Sequence, residues 1–155
     1  FYIIDHFFDV KLKALHYLFI IIIGVSGLIL SPLYYIYPNY DKIQHLIIPI
    51  MVYIMILHSL KKQNIKQKWK LVFAFFITVA VLGLFEVGEY ALDYLFDLKL
   101  QGVYIRDIQG LEKLNLVVER IDDTMIDLSL GILGASAYTL FKWLTLKRKN
   151  EEKMV

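Results

Sequence analysis

Three apolar stretches of this chain each carry acidic or imidazole side chains near one end. The groups are Asp41 with His45, then Glu86, Glu89 and Asp93, then Asp122, Asp123 and Asp127. Their spacing puts them on shared helical faces. Asp41 and His45 are four apart, Glu86, Glu89 and Asp93 follow a three-then-four step, and Asp123 and Asp127 are again four apart. Tyr90, four residues after Glu86, can join that stripe, whereas Asp122 points about 100° away from Asp123 and reads as a cap or surface group. Ionisable groups within apolar spans are costly, and they face a bundle interior, pair with one another, bind a metal or line a path. So many carboxylates cannot all be ionised together without a counter-cation. An oxygen-rich donor set with one imidazole suits Mg²⁺, Mn²⁺, Fe²⁺ or Zn²⁺. The expected metal ligands are therefore Asp41, His45, Glu86, Glu89, Asp93, Asp123 and Asp127.

The elements that must position these groups are membrane spans. The chain has 155 residues, of which 58% are hydrophobic, with a mean hydropathy of +0.56. A soluble domain is roughly half apolar. Runs long enough to cross a bilayer fall at about 14–37, 43–60, 71–96 and 121–146. The predicted fold is an all-α integral membrane protein, a four-helix transmembrane bundle forming a single domain. Gly24 and Gly27 in the first span, and Gly131, Gly134, Ala135 and Ala137 in the fourth, read as close-packing positions. Pro49 falls within the second span and should kink it. Residues 97–120 form the long connection between spans three and four. Gly102 and Gly110 suggest turns, and Leu111, Leu114, Val117 and Val118 have the spacing of a short amphipathic surface helix.

Charge sets an orientation. Lys61, Lys62, Lys66, Lys68 and Lys70 crowd the link between spans two and three, and Lys147, Arg148 and Lys149 follow span four. The positive-inside rule makes both segments cytoplasmic, which also places the N-terminus, with Lys11 and Lys13, inside. The tyrosine-rich stretch from Tyr34 to Tyr40 becomes an outer interfacial turn. In this topology the second span begins, the third ends and the fourth begins at the outer face, so all three acidic groups meet at one level. His58 lies about 20 Å along its helix from His45, at the opposite face. His6 and His16 carry no signal for the site. The chain begins at Phe1 rather than Met, and an N-terminal element is expected to be missing; no cleavable signal peptide is evident.

At these residues the chain resembles the YjdF-type inner-membrane proteins, and more distantly the VanZ-like proteins. The matching segments are YDKIQH at 40–45, FEVGEY at 85–90 and DDTMIDLSLGILGA at 122–135. The family pattern is Tyr-Asp-(Arg/Lys)-x-x-His, then Glu-x-x-Glu within a span, then Asp-Thr-x-x-Asp opening the last span. Carried over, it implies Asp41, His45, Glu86, Glu89, Asp123 and Asp127. The chain departs from the pattern in one respect. A Gln-Gly element normally lies just before the Asp-Thr pair, but Gln101–Gly102 and Gln109–Gly110 both lie upstream of an inserted amphipathic stretch. The resemblance implies residues, not a reaction.

Several classes are excluded. The absence of cysteine removes disulfides and thiolate metal sites. There is no nucleotide-binding loop, no nucleophile elbow and no pair of histidines at the outer level for a haem. The lysines flank apolar spans and form no nucleic-acid-binding field. Three functions stay open for a multi-pass cell-membrane protein whose immediate partner is the lipid bilayer. One is a metal-dependent intramembrane enzyme acting on lipid or lipid-linked head groups. A second is an accessory subunit packed against other membrane subunits. The third is ion or proton transport, which the lack of acids in the inner half of each span disfavours.

Overall fold

The computed structural model describes residues 11–106 and 114–152. Within them the chain is mostly helical, with three helices long and apolar enough to cross a membrane and one shorter apolar helix. Helix α1 covers Ala14–Gly24 and continues as a π-helical turn, Val25–Ile29. Helix α2 is Tyr40–Ser59, α3 is Gln67–Phe96 and α4 is Arg120–Glu151. Between α3 and α4 the chain forms strands β1 (Val103–Arg106) and β2 (Leu114–Val118).

The first apolar run differs from the expected 14–37 span. Its helical part ends at Ile29, and a 3-10 turn over Ser31–Tyr35 follows, with Pro32 opening that turn. Proline disfavours helical backbone at the residue before it. The apolar helix Ala14–Ile29 is thus about 24 Å long at 1.5 Å per residue, short of a hydrocarbon core of about 30 Å. Gly24 and Gly27 are not packing positions among the described residues, because a Cβ added to either would meet nothing there within 4 Å.

The bundle proper is α2, α3 and α4, each in contact with the other two. Small residues on α4 set how closely it approaches. A Cβ on Gly134 would stand 2.4 Å from the backbone carbonyl of Leu46 in α2, and one on Gly131 would stand 2.5 Å from the Leu82 side chain in α3. Ala135 is fully buried, whereas Ala137, also expected at a contact, faces outward. A 100° step per residue cannot put 131, 134, 135 and 137 on one narrow stripe.

The interior has two layers. Towards the end holding the lysine-rich link, Tyr53, Leu57, Leu71, Ala74 and Ala135 form an apolar core. There the Tyr53 hydroxyl donates to the Leu71 carbonyl at 3.0 Å, and its ring meets Tyr138 edge-on at 5.3 Å. Towards the other end the buried side chains are Gln44, His45, Glu86, Asp93, Asp123 and Asp127. The bundle therefore has a basic end and an acidic end.

The connection between α3 and α4 forms a hairpin rather than the expected amphipathic helix. β1 and β2 pair antiparallel, Tyr104 opposite Leu116 and Arg106 opposite Leu114, with an irregularity after Val103. Leu114–Val118 contains a β-branched pair, and strand pairing with β1 supplies backbone partners that a lone surface helix would lack. Leu111, Gln109 and Gly110 lie outside the described residues. Before the hairpin, Asp97 closes α3 in a left-handed conformation and Lys99 adopts another, with φ of 51° and 57°. The two side chains form an ion pair, and the Lys99 ammonium holds the Asp97 carboxyl below the usual carboxylate range.

Candidate metal centre

Helix α2 supplies the centre of the site from its first two turns. Lys42, which the spacing argument passed over, extends its ammonium among three carboxylates. It contacts Asp41 at 3.0 Å, both oxygens of Asp127 at 2.8 Å, and Asp123. Its side chain is only 15% exposed, and those of Asp123 and Asp127 are 5% and 3% exposed. Asp41 and His45 share a face as the spacing predicted, with His45 Nε2 3.4 Å from Asp41 Oδ1. The other ring nitrogen, Nδ1, lies 3.6 Å from Glu86 Oε1 of α3. His45 thus stands between two carboxylates from two helices. One turn further along, Pro49 lacks an N–H, so the His45 carbonyl loses its usual i+4 donor.

Helix α4 contributes Asp123, Thr124 and Asp127 from its first two turns. One oxygen of Asp123 meets Lys42, and the other accepts the Gly102 backbone N–H at 2.7 Å. The Thr124 hydroxyl accepts from the Gln101 side-chain amide at 3.1 Å and also interacts with Glu86. The Gln-Gly element therefore does reach the Asp-Thr pair. The hairpin takes up the intervening chain and returns α4 beside Gln101–Gly102. Gly102 sits at φ +89°, with Val118 O 3.1 Å from where a Cβ would be, so this close approach needs glycine.

The other expected ligands separate. Glu89 is half-buried beside the cluster, within electrostatic reach of Glu86, His45 and Asp41. Asp93 is buried but turned to the loop, its two oxygens accepting the N–H groups of Leu100 and Gln101 at 2.7 and 2.9 Å. Asp122 faces away and lines a shallow groove with Met125, Ile126 and Ser129. Tyr90 does not join the Glu86 stripe. It is 58% exposed and stacks on Tyr94.

Among the described residues, one group of three metal-capable side chains has donor atoms that all lie within 4.8 Å of one another: Asp41, His45 and Asp127. Donors about 2.2 Å from an ion are at most about 4.4 Å apart, so this set closes on a cation with small side-chain movements. The charge balance also fits, since four carboxylates (Asp41, Glu86, Asp123 and Asp127) surround the single Lys42 ammonium and His45.

Two features of the neighbourhood gave no sequence signal. Gln44 is buried, accepts the Tyr34 hydroxyl on Oε1, and its Nε2 has no hydrogen-bond partner among the described residues. At the basic end, the His58 ring lies tilted against buried His16, with ring centroids 4.2 Å apart. Only the folded chain brings those two histidines together. As expected, His58 takes no part in the acidic cluster. His6 lies outside the described residues.

No curated protein and no solved structure matches the chain. A family model described as a predicted membrane protein, DUF2238, matches residues 1–148, and the chain belongs to that family.

Proposed function

We propose that the acidic end is a divalent-metal centre in a multi-pass membrane protein, with Asp41, His45 and Asp127 as its protein ligands. The observation that carries this reading is the mutual approach of those three donors within 4.8 Å, from two different helices. His45 supports it further. With Nε2 turned towards Asp41, its Nδ1 is beside Glu86, the arrangement in which an outer carboxylate fixes the orientation and tautomer of a ligating imidazole. Lys42 supplies the resident positive charge that keeps Asp123 and Asp127 together, and it would stay with Asp123 when Asp127 turns to an ion. Asp123, Gln101 and Thr124 tie the hairpin over the site.

A divalent ion held there would supply Lewis acidity towards a head-group oxygen or water. The positive-inside reading puts the site at the outer leaflet, where a lipid or lipid-linked head group is the natural substrate. Glu89, close by and not among the three ligands, is the group suited to take a proton. The unpartnered Gln44 amide is suited to donate to a substrate oxygen. The YjdF-like motifs belong to this reading, since each contributes one of the helices that meet here.

Metal content of the detergent-purified protein, read by plasma mass spectrometry beside Asp127→Asn and His45→Gln, tests the proposal. We expect near-stoichiometric divalent metal in the wild type and its loss in both variants. Absence of metal from all three would favour a second reading, for which Lys42 already speaks: a cluster neutralised by its own ammonium that serves as a structural plug.

A further inference from the structure

At the opposite, basic end, a cavity of about 170 Å³ opens between the ends of α2, α3 and α4. Leu57, Leu71 and Leu146 line it together with Lys61, Lys142 and Lys149, and the Lys142 ammonium lies 5.4 Å from the centre of the Tyr138 ring. Gln67, the first residue of the 30-residue helix α3, also lines it, so the positive end of that helix dipole lies at its wall. Nearby, Lys70, a buried residue, donates its ammonium to the Lys61 carbonyl at 2.8 Å, and among the described residues it forms no ion pair. Among the described residues no acid lines the cavity. Among the described residues the acids nearest in sequence, Glu151 and Glu152, are engaged by Lys147 and Arg148.

We infer that this cavity binds the phosphate group of an anionic phospholipid. Three lysines, a helix N-terminus and a nearby buried lysine make an anion site, and the leucines beside them offer an apolar wall to the start of the acyl chains. Size narrows the ligand. Sites for whole small molecules run from about 300 Å³ upward. This one takes a single phosphate with its glycerol, and leaves the chains on the apolar helix faces. The ligand chemistry is a phosphate ester, which free phosphate would share only in part, lacking the apolar anchor.

The test is native mass spectrometry on the full-length protein in detergent. It is titrated with a short-chain phosphatidylglycerol, with phosphatidylcholine of the same chains, and with inorganic phosphate. The expected result is one retained phosphatidylglycerol, at least about tenfold weaker phosphatidylcholine, and weaker phosphate still. Each lysine near a lipid phosphate contributes about fivefold in affinity, so Lys61→Gln/Lys142→Gln/Lys149→Gln should weaken phosphatidylglycerol on the order of 100-fold. A control triple variant, Lys66→Gln/Lys68→Gln/Lys147→Gln, removes equal charge from the same end outside the cavity and should weaken it less than about fivefold. Equal losses in the two triple variants, or equal binding of the two lipids, would overturn the site. Inorganic phosphate binding as tightly as phosphatidylglycerol would overturn the lipid as its ligand.

Discussion

Replacing Lys42 with methionine would leave Asp41, Asp123 and Asp127 facing one another with only His45 as a counter-charge. Breaking a buried charge pair by deleting one partner costs about 3–5 kcal/mol. Thermal unfolding of Lys42→Met in metal-free detergent buffer should show a loss of that size, and added divalent cation should restore part of it. An unchanged midpoint would mean that the ammonium does not hold the acids together. Asp93 calls for a different expectation. Its two bonds go to loop N–H groups, so Asp93→Ala should lose about 1.5–3 kcal/mol while metal content, by plasma mass spectrometry, stays at the wild-type level. Loss of metal in that variant would return Asp93 to the ligand set. Lys42 shows why residue-level reading was incomplete. A basic side chain next to Asp41 is easily taken for an interfacial anchor, and only the arrival of α4 beside α2 reveals that it points inward.

The helices α2, α3 and α4 were legible at the level of elements because each is a long apolar run bounded by charge. The meeting of their acidic ends was legible because alternating spans must reverse direction. The hairpin was not, since Leu114–Val118 satisfies helical and strand periodicity alike and its partner strand lies a loop away. The break after α1 falls where the apolar run to Leu30 gives way to Ser31, Pro32 and the tyrosines, a change that an expected span to residue 37 ran past. Helix packing makes a sharper test. Gly134→Ala drives a methyl into the Leu46 carbonyl, which cannot turn aside, and should cost about 1–3 kcal/mol in unfolding free energy. Gly131→Ala should cost less, because the Leu82 side chain can yield. Gly102→Ala combines a φ of +89° with crowding against Val118 and should cost about 1–3 kcal/mol, loosening the hairpin from Asp123. Circular dichroism melts of the three variants give the ranking directly.

For the whole molecule, the expectation concerns which end faces which side. The chain contains no cysteine, so a single introduced thiol reports without background. Asn64→Cys, exposed at the basic end, should react with an impermeant maleimide only after the cytoplasmic side is opened. Asn39→Cys, exposed beside the acidic end, should react in intact cells. The reverse pattern would put the metal centre inside and remove outer-leaflet head groups as its substrates.

The Lys42 cluster also has a consequence in time. Asp123 and Asp127 lie 81 and 85 residues after Lys42, so the lysine leaves the ribosome well before two of the three acids that hold it. At bacterial and eukaryotic synthesis rates of about 5–20 residues per second, that interval is about 4–16 s. Throughout it, α2 carries an ammonium that has only one of its three final carboxylate partners, the adjacent Asp41, and its lowest-energy position keeps that group at the water boundary. The second helix therefore settles to its final depth only when the last one is delivered, and a chain stalled before α4 would be left with α2 too shallow, its lysine still in water.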